Sequence, residues 1–211
     1  MILLLIDDHP IMRAGLRRLF ADDLRFTIIE AATGEEGWRL WRSSRPGLVI
    51  LDLDMPGVGG LELIRRMRLD DSEARILVVS MHDDTFHARR ALQEGAMGYV
   101  GKSSGPAEIL TAVDRLLVGQ GHVEPELAQR LVFQRAGEGD DLVDRLAVRD
   151  LEILRLLSDG RNLHEIAAAV GVSYKTVANN CVRIKAQLGA ANTADLVRIA
   201  IRRGIAGGTG A

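Results

Sequence analysis

The sequence has few aromatic residues, a single cysteine and no long hydrophobic run. Phe, Trp and Tyr make up 4% of its 211 residues. One thiol, that of Cys181, excludes both an intramolecular disulfide framework and a thiolate-rich metal site. The apolar run that opens the chain stops at Asp7, so it is too short to cross a membrane and predicts a buried strand instead. These features favour a cytoplasmic protein with no membrane partner.

The hydrophobic content of 47% is sufficient for one or two globular domains. The net charge of −2 is unevenly distributed along the chain. Residues 1–118 and 119–141 each carry a net charge of −3, whereas residues 142–211 contain ten Lys and Arg against six Asp and Glu. An acidic front and a basic back indicate different partners, and the basic part is the one suited to nucleic acid.

Residues 1–118 alternate short apolar runs with amphipathic stretches. Five strands are predicted: Ile2–Ile6, Thr27–Ala31, Leu48–Leu51, Ile76–Ser80 and Gly98–Val100. Five helices are predicted between and after them: Ile11–Ala21, Glu35–Ser43, Leu61–Arg68, Phe86–Glu94 and Ala107–Val118. This alternation predicts an α/β domain, a five-stranded parallel, doubly wound sheet of the flavodoxin-like kind.

The next segment, residues 119–141, is predicted to be a linker with a short helix at Glu126–Gln134. Its end, residues 136–141, is Gly-rich and acidic and predicts a flexible connection. Residues 142–211 contain no strand-like run and predict an all-α domain. Its four expected helices are Arg149–Ser158, Leu163–Val170, Tyr174–Leu188 and Thr193–Arg203, followed by a tail at 207–211 that should fray.

Acidic residues follow two of the predicted strands. Asp7 and Asp8 come after the first strand, and Asp52 and Asp54 come after the third. Because the carboxyl ends of parallel strands open on one edge, these carboxylates should converge there. Carboxylates crowded without a cation repel one another, and Mg²⁺ with oxygen ligands would relieve that repulsion.

A hydroxyl and an ammonium complete this edge. Ser80 ends the fourth strand and Lys102 follows the fifth. Together with a metal they would hold the oxygens of a phosphoryl group while a carboxylate attacks phosphorus. Taken singly, each residue could be a turn residue, a helix N-cap or a surface charge. Because such residues occur together at the ends of several strands, a phosphoryl-binding site is the favoured interpretation.

The acidic pair after the first strand and Ser80 occur together with two longer motifs, Asp52-Leu-Asp-Met-Pro-Gly57 and Gly98-Tyr-Val-Gly-Lys102. This pattern over residues 1–118 resembles the receiver domain of response regulators. The resemblance implies that Asp52 is the phosphoacceptor and that Lys102 pairs with the acyl phosphate. It implies a Mg²⁺ site made of Asp7, Asp8, Asp52 and the backbone carbonyl of Asp54. Ser80 and Tyr99 match the pair of switch residues, of which Tyr99 should turn inward on phosphorylation.

The histidines near this edge carry no metal-ligand spacing. His9 follows the acidic pair, and His82 and His87 lie at or just after the end of the fourth strand. We expect all three at the surface.

The basic domain contains two amphipathic helices joined by the short turn Val170-Gly-Val-Ser173, the helix-turn-helix pattern. On the second helix an apolar stripe, Val177, Cys181, Ile184 and Leu188, should face the core. The opposite face carries Lys175, Asn179, Val182, Arg183 and Ala186 and would enter the major groove. A plain helical bundle with a solvated face remains the alternative interpretation.

A longer match, Leu146–Leu154, Glu165–Ala167, Lys175–Val177 and Leu188-Gly189, resembles the LuxR-type helix-turn-helix of the NarL/FixJ subfamily. It implies that Thr176 lies near phosphate and that Ala178, Asn179 and Val182 lie over the bases. Lys175 and Arg183, from the exposed face, complete the predicted DNA contacts. The chain departs from that pattern at Ala178, Asn180 and Val182, where basic, His or polar residues are common. Fewer cations mean fewer phosphate contacts and weaker binding to non-specific DNA.

The combined resemblance implies a regulator of transcription that a sensor histidine kinase phosphorylates. The active form would be a homodimer, with Thr193–Arg203 as the candidate dimer helix, bound to inverted half-sites in double-stranded DNA. Two alternatives remain open. Asp52-Leu-Asp54 also resembles the DxD motif of haloacid-dehalogenase-like phosphatases, and the helical domain could bind a protein instead of DNA.

Overall fold

The computed structural model describes residues 1–55, 57–82, 84–135, 142–143, 146–203 and 205, the side chains of 133–135 excepted. The chain divides into two compact units, Met1–Gln134 and Arg135–Ala211. The expected flexible segment 136–141, Pro56 and the tail 207–211 lie outside the described residues.

The first unit is built on a parallel sheet. Its strands are β1 (Ile2–Ile6), β2 (Thr27–Ala31), β3 (Leu48–Leu51), β4 (Ile76–Ser80), β5 (Gly98–Gly101) and β6 (His122–Val123). They lie in the order β2-β1-β3-β4-β5-β6, and every neighbouring pair is parallel. The five predicted strands are confirmed. The short β6, which we had not predicted, adds a sixth strand at the edge beside β5.

Six helices lie in the described residues up to 135. They are α1 (Pro10–Leu19), α2 (Gly34–Ser44), α3 (Gly60–Asp70), α4 (Thr85–Glu94), α5 (Pro106–Leu117) and α6 (Pro125–Arg135). Their apolar faces and the alternate residues of the strands form two buried clusters. One contains Leu4, Val49 and Val78, and the other contains Leu3, Ile50 and Leu77. Because successive residues of a strand point to opposite faces, both faces of the sheet are covered, as a doubly wound fold requires.

The register of the strands brings the polar residues at their carboxyl ends together. Ile6 pairs with Leu51, so the residues that follow them, Asp7 and Asp52, are neighbours. Ser80 pairs with Gly101, and the amide of Lys102 donates a hydrogen bond to the carbonyl of Ser80 at 2.7 Å. The expected convergence of these side chains therefore follows from strand pairing alone.

Residues 119–134 belong to the first unit, although we had assigned 119–141 to a linker. β6 pairs with β5 in register, with Gly98 opposite His122 and Tyr99 opposite Val123. Leu127 of α6 is 3% exposed and joins the cluster that contains Tyr99. The boundary shifts because β6 adds hydrogen bonds, and α6 adds apolar burial, to the edge of the sheet.

In the second unit, the described residues form four helices: α7 (Val148–Ser158), α8 (Leu163–Ala169), α9 (Tyr174–Leu188) and α10 (Thr193–Arg202). α8 begins with a capping box, in which Asn162 accepts from the amide of Glu165 and the Glu165 carboxylate accepts from the amide of Asn162. α9 begins at its N-cap Ser173 and ends at Gly189, which has φ +65°. None of the helices in the described part of the chain combines the length and apolar character needed to cross a bilayer.

Gly60, the first residue of α3, lies against the loop that carries Asp52. A Cβ at Gly60 would lie 2.6 Å from the carbonyl oxygen of Asp52 and 2.6 Å from Cα of Leu53. We expect Gly60→Ala to lower the free energy of unfolding of the first unit by about 1–3 kcal/mol, because neither backbone atom can move away cheaply.

Urea unfolding followed by tryptophan fluorescence measures this, since both tryptophans, Trp38 and Trp41, lie in α2. Gly15→Ala is the matched control, because a Cβ there meets nothing within 4 Å. Because Gly15 is a solvent-exposed residue in the middle of α1, Gly15→Ala should raise the free energy of unfolding by about 0.5–1 kcal/mol. Equal shifts in the two variants would contradict the expectation.

Candidate functional site

Lys102 joins two buried carboxylates at the carboxyl edge of the sheet. Its Nζ lies 2.6 Å from Oδ2 of Asp52 and 2.8 Å from Oδ2 of Asp7. All three side chains are at most 5% exposed. The structure therefore brings together the predicted phosphoacceptor, one predicted metal ligand and the predicted lysine, each from a different strand end.

Burial and neighbouring charges together set the pKa values in this cluster. It raises the pKa of Asp52 to about 6, although the nearby Lys102 opposes the shift and the charges of Asp7 and Asp54 add to it. Burial alone would lower the pKa of Lys102, but the carboxylates of Asp52 and Asp7 outweigh it and raise that pKa. Lys102 thus stays protonated, and Asp52 binds a proton more readily than an exposed aspartate does.

Asp8 supplies a further oxygen to the same edge. Atoms of Asp7, Asp8, His9 and Asp52 all lie within 4.8 Å of one another. Oδ1 of Asp8 is buried without a hydrogen bond of good geometry, although Nδ1 of His9 lies 2.8 Å away. A buried oxygen that lacks a proper donor is suited to a hard cation, and three carboxylates fit the ligand chemistry of Mg²⁺. The side chain of His9 is 60% exposed, as expected of a surface histidine.

Asp54 lies beside this cluster and is linked to it through its backbone. Its amide donates to Oδ1 of Asp52 at 3.3 Å, while its own carboxylate turns away and lies 2.8 Å from Nε2 of His82. The side chain of Asp54 is therefore engaged by His82, and the role of its backbone carbonyl in metal binding stays a prediction.

The predicted switch residues are both enclosed. Ser80 and Tyr99 have no exposed surface. Oγ of Ser80 accepts from the amide of His82 at 3.2 Å, and the phenol of Tyr99 donates to the carbonyl of His82 at 2.7 Å. The inward turn that we had expected of Tyr99 on phosphorylation is already present in this structure. Both switch residues are tied to one loop residue, His82.

The prediction that His82 and His87 lie at the surface is wrong. Their rings stack at 3.8 Å with an angle of 6° between planes, and His87 is 6% exposed. Asp84 is the N-cap of α4, and its carboxylate accepts hydrogen bonds from the amide and from Nδ1 of His87. Burial would lower the pKa of His82, but Asp54 and Asp84 raise it. Sequence spacing gave no signal for this stack, because it depends on the path of a loop.

Although these two histidines and Asp84 lie close enough to hold an ion, their geometry opposes it. The lone pair of an imidazole nitrogen lies in the plane of its ring. Two parallel, stacked rings therefore direct their lone pairs along parallel planes and not toward one shared ion. The cluster is instead a network of carboxylate–imidazole contacts that connects Asp54 to the start of α4.

In the second unit, α9 presents the predicted DNA-contacting face. Lys175, Asn179, Val182 and Arg183 are exposed, and Thr176 and Ala178 are half-buried. Thr176 is held at the helix start, where its amide donates to Oγ of Ser173 at 3.1 Å. Val177, Cys181 and Ile184 are buried, as the predicted stripe requires, and burial raises the pKa of the Cys181 thiol. Cys181 is a core residue.

Arg183 differs from the rest of that face. Its Nη2 donates to both oxygens of Asp150 on α7, at 2.6 and 2.8 Å, and Asp150 is only 1% exposed. A helical wheel places Arg183 on the groove-facing side, but its long side chain reaches back to the core. The guanidinium thus compensates a buried carboxylate in this structure, and its contact with DNA stays a prediction.

Arg183→Ala should therefore weaken the helical unit itself. Removing the guanidinium leaves the carboxylate of Asp150 buried without its cation. We expect the opening free energy of amides in α7 and α9 to fall by about 2 kcal/mol, a value reduced for the solvent exposure of the arginine. Hydrogen–deuterium exchange of the full chain measures it. Arg198→Ala, which removes a 71%-exposed partner of Asp195, is the control and should change protection by less than about 0.5 kcal/mol. Equal effects would refute the structural role of Arg183.

Two family models match the chain. The response regulator receiver domain matches residues 3–114, and the luxR family of bacterial regulatory proteins matches residues 144–200. MoxX, the methanol utilization control regulatory protein of Paracoccus denitrificans, is 38% identical over 202 residues, which cover 95% of this chain and 91% of MoxX. ExaE, a transcriptional activator of Pseudomonas putida, is 37% identical over 96% of this chain and 97% of its own length.

Solved structures agree with these matches. A structure of the response regulator RcsB from Salmonella typhimurium superposes with a TM-score of 0.72 at 25% identity, covering 94% of this chain and 96% of RcsB. RcsB bound to a promoter with the phosphomimetic BeF₃⁻ superposes with a TM-score of 0.69 at the same identity and coverage. The matches favour a regulator of transcription over the phosphatase alternative. The chain belongs to the two-component response regulators of the NarL/FixJ subfamily, which join a receiver domain to a LuxR-type DNA-binding domain.

Proposed function

We propose that Asp52 accepts a phosphoryl group from a sensor histidine kinase and that this modification controls dimerisation and DNA binding by α9. The observation that carries the proposal is the position of the Lys102 ammonium, which touches the carboxylates of Asp52 and Asp7 at one buried edge. A cation fixed beside a nucleophilic carboxylate is what transfer of an anionic group requires.

In the proposed reaction a carboxylate oxygen of Asp52 attacks phosphorus. A P–O bond forms, the P–N bond to the kinase histidine breaks, and the released imidazole takes up a proton. Asp7, Asp8, Asp52 and the carbonyl of Asp54 would hold Mg²⁺, which neutralises charge on the phosphoryl oxygens when bound. Lys102 would exchange its contact with Asp52 for one with a phosphoryl oxygen, because the acyl phosphate places negative charge at that point.

The switch would act through the loop at His82. Ser80 and Tyr99 each hold this residue by one hydrogen bond in the present structure. If the hydroxyl of Ser80 turns to the phosphoryl group, the amide of His82 loses its acceptor. The loop and the start of α4 would then rearrange while Tyr99 stays inside. The change is a shift between two populations of the loop.

The output would be binding of two α9 helices to inverted half-sites in double-stranded DNA. The promoter-bound structures of RcsB and the description of ExaE as a transcriptional activator support this output. α10 remains the proposed dimer helix, and its Ile201 is 58% exposed, which provides an apolar contact for a second copy. The proposed location is the cytoplasm.

Labelling with acetyl phosphate and Mg²⁺, followed by intact-mass measurement, tests the phosphoacceptor. The wild-type chain should gain one phosphoryl group, and Asp52→Asn should gain none, because the amide is not a nucleophile toward phosphorus. Asp114→Asn, at an exposed position on α5, should label like the wild type. A label that persists in Asp52→Asn would refute the assignment.

Beryllofluoride, which mimics the acyl phosphate, extends this test to the output. DNA fragments selected by the wild-type protein should be bound at least about tenfold more tightly with beryllofluoride, a factor within the usual range of about 5- to 150-fold for coupling between sites. Asp52→Asn should show no such gain. Equal affinity of the wild type in both states would refute the switch, and failure to select any DNA sequence would favour the protein-binding alternative.

Magnesium affinity should depend on pH through Asp52. The pKa of Asp52 is raised to about 6, so below that value a proton must leave before the ion can bind. We expect the apparent affinity for Mg²⁺ to be flat above pH 7 and to fall about tenfold per unit below pH 6. Calorimetric titration at constant ionic strength measures this. Asp52→Asn should bind more weakly and lose most of the dependence, and an unchanged slope in that variant would contradict the assignment.

A further inference from the structure

The segment that follows α5 ends in a carboxylate that points back toward the site. The receiver family match stops at residue 114, and β6 and α6 come after it. Between these two elements lies Glu124, which no assigned role involves. Its Oε1 accepts a hydrogen bond from the amide of Gly101 at 2.7 Å and another from the hydroxyl of Ser104.

These two donors flank Lys102. The amide of Ser104 also donates to the carbonyl of Gly101 at 3.1 Å, which closes a tight turn with Lys102 inside it. The amide of Lys102 donates to Ser80 on the other side. The backbone of Lys102 is therefore held by Ser80 on one side. On the other side it lies in a turn whose first and last residues, Gly101 and Ser104, both donate to the carboxylate of Glu124. Hydrogen bonds to an ionised acceptor are about twice as strong as those between neutral groups.

Glu124 is itself fixed by the chain on both sides. Before it, Val123 pairs with Tyr99, and Nε2 of His122 lies 2.7 Å from Oε1 of Glu108. After it, the carbonyl of Glu124 accepts from the amide of Ala128 in the first turn of α6. Leu127 of that helix lies in the apolar cluster of Tyr99. The residue that holds the Gly101–Ser104 turn is thus part of the segment that leads toward residue 135.

We propose that Glu124 is a positioning residue for Lys102. Its carboxylate fixes the Gly101–Ser104 turn so that the ammonium of Lys102 is aimed at Asp52 before the phosphoryl group arrives. The inference rests on the proposed roles of Asp52 and Lys102. Because coupling is reciprocal, a change in the placement of Lys102 on phosphorylation also acts on Glu124 and on the start of α6. This coupling between the site and residue 135 would then be separate from the coupling through His82 and α4.

The test measures the rate of Asp52 phosphorylation by acetyl phosphate at saturating Mg²⁺, with Mg²⁺ affinity measured separately by calorimetry. Glu124→Ala should slow phosphorylation about tenfold, as loss of hydrogen bonds to a charged acceptor predicts. Its Mg²⁺ affinity should stay within about twofold, because the metal ligands are untouched. Glu124→Gln, which keeps an acceptor oxygen, should recover most of the rate. Glu126→Ala, at an exposed position in the first turn of α6, is the matched control and should match the wild type.

A double-mutant cycle separates positioning from general stabilisation. Adding Glu124→Ala to Lys102→Ala should cause no further loss of rate, because Glu124 acts through that ammonium. Ser104→Ala removes only one donor and should slow the reaction about threefold, which keeps the test available if Glu124→Ala does not fold. A wild-type rate in Glu124→Ala, or fully additive losses in the cycle, would overturn the proposal. A label on Asp52→Asn, or a normal rate in Lys102→Ala, would instead overturn the proposed function.

Discussion

The ammonium of Lys102 lies between two buried carboxylates, and the arrangement of the receiver unit serves this contact. Asp7, Asp52 and Lys102 are far apart in the chain and follow β1, β3 and β5. Parallel pairing of these strands with β4 sets the ends at one level, and burial then makes each charge depend on its neighbours. Removing Lys102 would leave two carboxylates buried without their cation. The same balance keeps the proposed phosphoacceptor, a cation and the proposed metal ligands together at one edge of the sheet.

The sequence was sufficient to predict the site because strand ends are set by pattern. Apolar runs predicted β1, β3 and β4, and the polar residue after each run had to lie at the same edge. Asp8 and Ser80 were predicted in the same way, and the structure places both beside the cluster. Tyr99 was found by resemblance to a family. Helix bounds differ from the predicted ones by at most two residues, and Tyr174–Leu188 matches at both ends.

What the sequence did not predict depends on contacts between distant elements. The two residues of β6 are too few for any periodicity, and their pairing with β5 is decided by the path of the chain. The burial of His87 follows from stacking on His82 across a loop. The ion pair of Arg183 with Asp150 depends on how α7 and α9 cross, which a helical wheel of α9 alone does not contain. Glu124 gave no signal either, because its partners are backbone and hydroxyl groups of another segment.

That ion pair also has a consequence for how the protein searches a genome. A guanidinium neutralised by an internal carboxylate releases few counterions on contact with a phosphate. Neutral Ala178 and Val182 on the same helix reduce this electrostatic hold further. Such a surface would hold random DNA weakly, and under the proposed function tight binding would need base contacts from both subunits of a dimer. If the protein binds as the proposed dimer, occupancy of its targets would then depend on how many molecules are paired at a given moment.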